Sequence, residues 1–249
     1  MAELLDMHLM EWTLDQERLY ENPLMTLGGQ AAIRVLCEKH GVAIPSLTGD
    51  CFMQAPFWKT EGIARESLEG DFLAVVQACA VLGISIVVVP LVDNGRLENI
   101  AQEDALVAFL QVQAGFLEEL GIKVVFESDF APTDLSRFIA RLNPVVFGIN
   151  YDIGNSAALG YNPHDEITAY GDRIVNVHVK DRLLGGTTVP LGVGNANFEN
   201  VFAELARIEY SGNYILQTAR AADGEHAYTL ARYRDMVSDW LSCYTVHAA

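Results

Sequence analysis

Four strand-like runs in this chain read Ile122-Lys-Val-Val-Phe-Glu127, Val145-Val-Phe-Gly-Ile-Asn-Tyr-Asp152, Ile174-Val-Asn-Val-His178 and Asn213-Tyr-Ile-Leu-Gln217. The runs are largely apolar, which is typical of parallel strands that are buried on both faces. Each run ends in a side chain that binds metals: two carboxylates, an imidazole and a carboxamide. Since the carboxyl ends of parallel strands meet at one face of an α/β fold, the pattern predicts a polar site there.

Strand-like and helical periods alternate along the rest of the chain. Three helices are predicted to end at Gly41, Gly83 and Gly121, because glycine adopts the left-handed conformation that stops a helix. The longest predicted helix runs from about residue 96 to residue 120. Each helix leads into the next apolar run, so the pattern indicates parallel βα units. The strands are predicted at 7–13, 42–48, 84–91, 122–128, 145–152, 174–180 and 213–218.

The length and the unit count together define the expected fold. The chain has 249 residues, close to the usual length of a (β/α)8 TIM barrel, and no break in composition divides it. We therefore predict one TIM-barrel-like α/β domain over residues 1–249. Only seven βα units are evident, and residues 2–6 read as the end of a helix whose preceding strand is missing. Either the first strand has been lost, the natural start lies upstream, or the barrel stays open or closes irregularly. A doubly wound sheet is the alternative fold, but no GxGxxG motif follows an early strand.

Charge and composition exclude several classes of partner. The net charge is −17, from 33 acidic and 16 basic residues, and such a surface repels nucleic acid. Residues 72–92 are almost entirely apolar, but Gly83 divides them into a helix-like half and a β-branched half, so no membrane span is predicted. The four cysteines are scattered and no signal peptide is evident, which favours a cytoplasmic protein with reduced thiols.

The four strand ends are the candidate metal ligands: Glu127, Asp152, His178 and Gln217. Any one of them alone has an ordinary explanation, since a strand-end acid is often a helix cap and a single histidine is often packed in a core. The same property at four strand ends favours a divalent-metal site. Two carboxylates, an imidazole and an amide oxygen suit Mn²⁺, Zn²⁺, Co²⁺ or Mg²⁺, and the spacing does not select among these ions.

The order of the motifs is similar to that of a known family. Glu127 is followed by Asp152-Ile-Gly-Asn155, Ile174-Val-Asn-Val-His-Val-Lys-Asp181 and Val189-Pro-Leu-Gly-Val-Gly194. This set resembles the xylose-isomerase-like TIM-barrel family, and within it the sugar-phosphate isomerases and epimerases of the L-ribulose-5-phosphate/L-xylulose-5-phosphate 3-epimerase type. The resemblance covers nearly the whole chain and is most specific over residues 120–220.

The resemblance implies one divalent metal held by a Glu, an Asp, a His and a second Glu, with the two glutamates exchanging the C3 proton on opposite faces of the substrate. Carried over, Glu127 is a ligand and a catalytic base, Asp152 and His178 are ligands, and the fourth position falls on Gln217. A carboxamide has no pKa that suits a base, so two-base epimerisation loses one base. Aldose–ketose isomerisation by Glu127 alone, through a metal-stabilised ene-diolate, remains available.

Five further residues are candidate substrate contacts. Two are basic and suit a phosphate or a sugar oxygen, one is an amide suited to a hydroxyl, and two end the first visible strand and should reach the same barrel mouth. The ordinary alternatives to these roles are surface ion pairs for the two basic residues, a turn position for the amide and packing for the two strand-end residues. In that order the five are Lys180, Arg220, Asn155, Glu11 and Trp12.

These observations predict a metal-dependent isomerase or epimerase that acts on a sugar or sugar phosphate by removing a proton next to a carbonyl. The alternative is a catalytically weakened or non-catalytic sugar-binding barrel of the same family, favoured by Gln217 and by the missing first strand. An endonuclease-type member of the superfamily is disfavoured, because that branch is rich in histidine and this chain is strongly acidic with six histidines. Barrels of this kind often pair, so a homodimer is the oligomer to test for, although no sequence feature marks an interface.

Overall fold

Seven parallel strands form a nearly closed barrel in the computed structural model, which describes residues 5–221 and 224–245. The strands are β1 (Leu9–Thr13), β2 (Ala43–Thr48), β3 (Ile86–Leu91), β4 (Lys123–Ser128), β5 (Phe147–Asp152), β6 (Ile174–Val179), β7 (Asp181–Arg182), β8 (Thr188–Val189) and β9 (Asn213–Leu216). The strand order β1-β2-β3-β4-β5-β6-β9 confirms all seven predicted strands, each within about two residues of its predicted ends, and leaves β1 and β9 as the edges of the sheet. A short antiparallel pair, β7 and β8, lies outside the barrel sheet.

The α-helices follow the strands as predicted. Gly41, Gly83 and Gly121 have φ angles of 62°, 75° and 67°, which confirms them as left-handed helix ends. The long helix predicted from about residue 96 begins at Ile100 instead, because the Asn99 side chain caps it by accepting from Gln102 N. The helices are α1 (Leu27–His40), α2 (Asp50–Gln54), α3 (Gly62–Leu82), α4 (Ile100–Leu120), α5 (Pro132–Ile139), α6 (Ile153–Leu159), α7 (Pro163–Tyr170), α8 (Phe198–Arg207) and α9 (His226–Thr245).

A register shift in the β5–β6 ladder sets the geometry of the polar end of the barrel. Ile149 pairs with Ile174 and Asn150 pairs with Asn176, so β6 carries one extra residue at this point. As a result, Asp152 at the end of β5 lies directly opposite His178 on β6. The shift therefore places a carboxylate and an imidazole side by side at the carboxyl ends of the strands.

The apolar stretch at residues 72–92 is divided between a helix and a strand, as predicted. Helix α3 ends at Leu82 and the fully buried strand β3 begins at Ile86. Within the described residues, no helix combines the length and the apolar character that crossing a membrane requires.

Candidate active site

Three of the four predicted ligand residues come together at the carboxyl ends of β4, β5 and β6. One ligand atom from each of Glu127, Asp152 and His178 lies within 4.8 Å of the other two. All three side chains are buried, and that of His178 is completely inaccessible to solvent. The sequence-based expectation that neighbouring strand ends would converge is therefore correct for these three residues.

The imidazole of His178 lies between carboxylates on both of its edges. Its Nε2 is 2.8 Å from Oε1 of Glu11, and its Nδ1 is 3.2 Å from Oε2 of Glu127 and 3.9 Å from Oδ2 of Asp152. Burial lowers the pKa of His178, but the charge and contact of Glu11, followed by the contact with Glu127, outweigh it and raise the pKa to about 10. Without a metal, the ring is therefore an imidazolium that balances the surrounding carboxylates.

The two carboxylates of the group have different proton affinities. Burial raises the pKa of Glu127, but the contact with His178 and the charge of Lys180 outweigh burial and lower the pKa to about 2. Burial and the negative charge of Glu127 raise the pKa of Asp152, against the opposing charges of Lys180 and His178. Glu127 is thus the more firmly ionised carboxylate, which suits a metal ligand.

The donor set fits a divalent cation. Both ring nitrogens of His178 are buried without a hydrogen-bond partner in the described structure, and Nδ1 is the one on the side of Glu127 and Asp152. Buried polar atoms of this kind are normally satisfied by a partner, and a cation bound between two carboxylates and an imidazole would supply one. Glu127, Asp152 and His178 are therefore the residues that would hold such an ion.

Lys180 lies between Asp152 and the fourth predicted ligand. Its Nζ is 2.7 Å from Oδ2 of Asp152 and donates a hydrogen bond of 2.8 Å to Oε1 of Gln217. The amide oxygen that the sequence assigned to the metal is thus engaged by the lysine ammonium. Gln217 lines the same cavity as Glu127 and Lys180. Its role as a metal ligand stays a prediction.

Asn155 contacts the proposed base. Its Nδ2 donates to Oε1 of Glu127 at 2.5 Å, and its Oδ1 accepts a hydrogen bond of 2.7 Å from Nη1 of Arg182. The backbone N–H of Asn155 also donates to Oδ1 of Asp152 at 2.8 Å, which caps α6. Both oxygens of Asp152 are therefore held, one as a helix cap and one toward Lys180. A direct contact of Asn155 with a sugar hydroxyl stays a prediction.

The remaining three predicted contacts lie in different environments. Glu11 is turned into the barrel, toward His178. Trp12, the next residue on β1, packs against the main core on the opposite face of the strand, and its Nε1 donates to Oδ1 of Asn22 at 3.3 Å. Arg220 is exposed in a separate groove that it shares with Gln217. Their contacts with a substrate stay predictions.

A cavity of about 490 Å³ opens beside the three clustered residues. Glu127, Lys180 and Gln217 line it together with two residues that the sequence reasoning missed, Asp50 and Arg182. Burial raises the pKa of Asp50 to about 6, and the charges of Asp15 and Glu127 add to the effect. Asp50 follows the carboxyl end of β2, so the strand-end rule applied to that strand would have found it. Arg182 directly follows the His-x-Lys-Asp run in the sequence. It reaches the cavity as part of β7, which pairs with β8, and the sequence reasoning did not predict this pair.

The chain belongs to the xylose isomerase-like TIM barrel family, whose model matches residues 4–235. This confirms the family indicated by the order of the motifs. The inosose dehydratase of Geobacillus kaustophilus (strain HTA426) is 28% identical over 153 residues, which cover 52% of this chain and 49% of the relative. The L-ribulose-5-phosphate 3-epimerase UlaE of Salmonella paratyphi C (strain RKS4594) is 36% identical over 97 residues, 39% of this chain and 34% of the relative. The aligned segments thus span half or less of these two enzymes.

A solved structure extends the likeness to nearly the whole chain. The IOLI protein with a binding zinc atom superimposes with a TM-score of 0.80 at 16% identity, covering 98% of this chain and 92% of that one. At this identity the likeness shows the fold. The TIM-barrel prediction is therefore confirmed, with seven strands in the barrel sheet of the described residues.

Proposed function

We propose that the chain is a metal-dependent isomerase or epimerase of a sugar or sugar phosphate. The observation that carries the proposal is the buried group of Glu127, Asp152 and His178, whose ligand atoms lie within 4.8 Å of one another beside an open cavity. Membership of the family and a relative named as a sugar-phosphate epimerase support the substrate class.

Glu127, Asp152 and His178 are the proposed ligands of one divalent ion, with Mn²⁺, Zn²⁺, Co²⁺ and Mg²⁺ as the candidates. Such an ion would polarise a substrate carbonyl and stabilise the charge of an ene-diolate. The zinc atom in a structure of the same fold supports Zn²⁺ as the first ion to test.

Glu127 is the proposed base that removes a proton from the carbon next to the carbonyl. Asn150 and Asn155 donate hydrogen bonds to its two oxygens at 3.0 and 2.5 Å, and the lowered pKa keeps the carboxylate ionised. The ammonium of Lys180, in the same cavity, would stabilise negative charge on a substrate oxygen. Gln217 takes up no proton, so Glu127 returns the proton to the same face of the ene-diolate but at the adjacent carbon, while the hydroxyl proton moves between the two oxygens. The reaction favoured by these residues is aldose–ketose isomerisation.

Proton exchange in D2O tests the proposal directly. Pentuloses, hexuloses and their phosphates would be incubated with Zn²⁺- or Mn²⁺-loaded protein and followed by ¹H NMR. We expect exchange of a C1 proton of the ketose, the proton that isomerisation moves between C1 and C2, and a loss of at least about 100-fold in Glu127→Gln. Glu103→Gln, which also turns a buried carboxylate into an amide but on α4, is the matched control and should keep the rate. Enzymatic exchange at C3 by the unmodified protein would show that the argument from Gln217 is wrong.

A second candidate function is a sugar-binding barrel that does not turn its ligand over. The contact between Lys180 and Gln217 favours it, because the fourth ligand position is already occupied by an internal partner. Isothermal titration with the same sugars distinguishes the two functions: saturable binding without proton exchange in the metal-loaded protein supports this second candidate.

The wider setting of the protein is also part of the proposal. We propose the cytoplasm as its compartment, which the four free cysteines support. The single domain over residues 1–249 and the homodimer stay predictions. The net charge of −17 supports a small molecule, and not a nucleic acid, as the ligand.

A further inference from the structure

We propose that Glu11 is a positioning residue that fixes the ring orientation and tautomer of His178, so that Nδ1 is presented to Glu127 and Asp152. The sequence suggested a substrate contact for Glu11, whereas its position in the barrel indicates a role behind the metal ligand. The inference rests on the proposed function, since it concerns the same site.

The two ring nitrogens of His178 have different surroundings. Nε2 is 2.8 Å from Oε1 of Glu11, whereas Nδ1 is on the side of Glu127 and Asp152, 3.2 and 3.9 Å from their nearest oxygens. Oε1 of Glu11 is the closest carboxylate oxygen to either ring nitrogen, so a neutral ring would keep its one hydrogen on Nε2. When the ring is neutral, the lone pair is therefore on Nδ1, the nitrogen that faces the proposed ion.

Glu11 is itself held in place on both carboxylate oxygens. The hydroxyl of Thr48 donates to Oε1 at 2.6 Å, and the hydroxyl of Ser46 and the amide of Asn176 donate to Oε2 at 2.7 and 3.2 Å. With these donors fixed on β2 and β6, the carboxylate has little freedom to rotate away from His178. A ligand histidine supported by a carboxylate in this way is oriented and made more basic.

The contacts of Glu11 continue through the barrel as a closed ring. Asn176 donates to Oδ1 of Asn150 at 2.8 Å, and Asn150 donates to Oε2 of Glu127 at 3.0 Å. Glu127 contacts Nδ1 of His178, and Nε2 of His178 contacts Glu11 again. Removing the charge of Glu11 would therefore disturb both a ligand histidine and the proposed base.

The test combines metal binding with a direct view of the imidazole. Zn²⁺ alone would be titrated into the full chain and its Glu11→Gln variant by isothermal calorimetry, and the ring nitrogens of His178 would be observed by ¹⁵N NMR with and without Zn²⁺. We expect Glu11→Gln to bind Zn²⁺ about 10- to 100-fold more weakly and to lose the preference for hydrogen on Nε2. Glu103→Gln, a buried carboxylate on α4 that pairs with Arg137 and Arg141, should change neither quantity.

A second variant covers the case in which Glu11→Gln does not fold. Thr48→Val removes one hydroxyl that donates to Oε1 of Glu11 and keeps the side-chain shape, so we expect a smaller loss of Zn²⁺ affinity in the same direction. Unchanged affinity and unchanged ¹⁵N shifts in the variants would overturn the positioning role while leaving the proposed function intact. If the unmodified protein binds no Zn²⁺, Mn²⁺, Co²⁺ or Mg²⁺, the proposed function fails. The ¹⁵N spectra of the metal-free proteins, recorded above pH 10 where the ring of His178 is neutral, then still decide whether Glu11 sets its tautomer.

Discussion

The ammonium of Lys180 is 2.8 Å from the amide oxygen of Gln217 and 2.7 Å from a carboxylate oxygen of Asp152. One internal cation thus joins a proposed metal ligand to the position where the family resemblance implies a second glutamate.

Replacing Gln217 by glutamate should restore the missing carboxylate. The new charge would lie beside Lys180 and Asp152, so we expect Zn²⁺ or Mn²⁺ to bind at least about tenfold more tightly, a change of about 1.4 kcal/mol. Exchange of the C3 proton should also appear, because a second base becomes available. Calorimetry and ¹H NMR in D2O measure the two effects. Gln217→Met, which removes the amide without adding charge, is the control. If it matches Gln217→Glu in metal affinity, charge is not the cause.

Replacing Lys180 by methionine should destabilise the metal-free protein. The ammonium is mostly buried, and its loss leaves Asp152 without its ion-pair partner, so we expect the free energy of unfolding to fall by about 3 kcal/mol. Urea denaturation in EDTA measures this change. Added Zn²⁺ should recover most of the loss, because a bound cation would take over the charge of the lysine. A loss that Zn²⁺ does not reduce would contradict this account.

The stability of the metal-free protein should fall as pH rises above 6.5. The pKa of His178 is raised from 6.5 to about 10 in the folded state, so its contribution is complete below pH 6.5 and is lost progressively up to about pH 10. Zn²⁺ must displace the proton from Nδ1, so the apparent Zn²⁺ affinity should rise over the same range. Denaturation in EDTA at pH 6, 7.5 and 9, compared with His178→Asn, isolates the effect. Parallel pH curves for the two proteins would rule it out.

Asp50→Asn should stabilise the protein at pH 7 and not at pH 4. The pKa of Asp50 is raised from 3.8 to about 6, so its ionised form is disfavoured in the folded protein at neutral pH. After allowance for solvent screening, we expect a gain of roughly 1 kcal/mol at pH 7. Below pH 4 the carboxyl is protonated and the gain disappears. Denaturant titrations at both pH values check the difference, and an equal gain at both would assign it to another cause.

The strands and three residues of the site were predictable from local patterns. Buried strands read as apolar runs and helices ended at glycine, so the carboxyl ends of β4, β5 and β6 could be placed at one face. This was sufficient to bring Glu127, Asp152 and His178 together.

Other features depend on contacts that a single sequence does not reveal. The contact of Glu11 with His178 joins residues far apart in the chain and depends on register shifts in both the β1–β2 and β5–β6 ladders. The pairing of Gln217 with Lys180 depends on side-chain conformation at the end of β9. Asp50 is the exception, because the strand-end rule applied to β2 would have found it. Register and rotamer, and not residue type, decide these contacts.

The open seam between β1 and β9 has a consequence for the dynamics of the barrel. Within the described residues, each of these strands is paired in the sheet on one side only, so β1 should open at lower free energy than the strands inside the sheet. The side chain of Glu11 ties β1 to β6 across the interior. A bound ion that fixes His178 would then also slow the local opening of β1. The time for which β1 stays paired in the sheet would therefore depend on whether the site holds an ion.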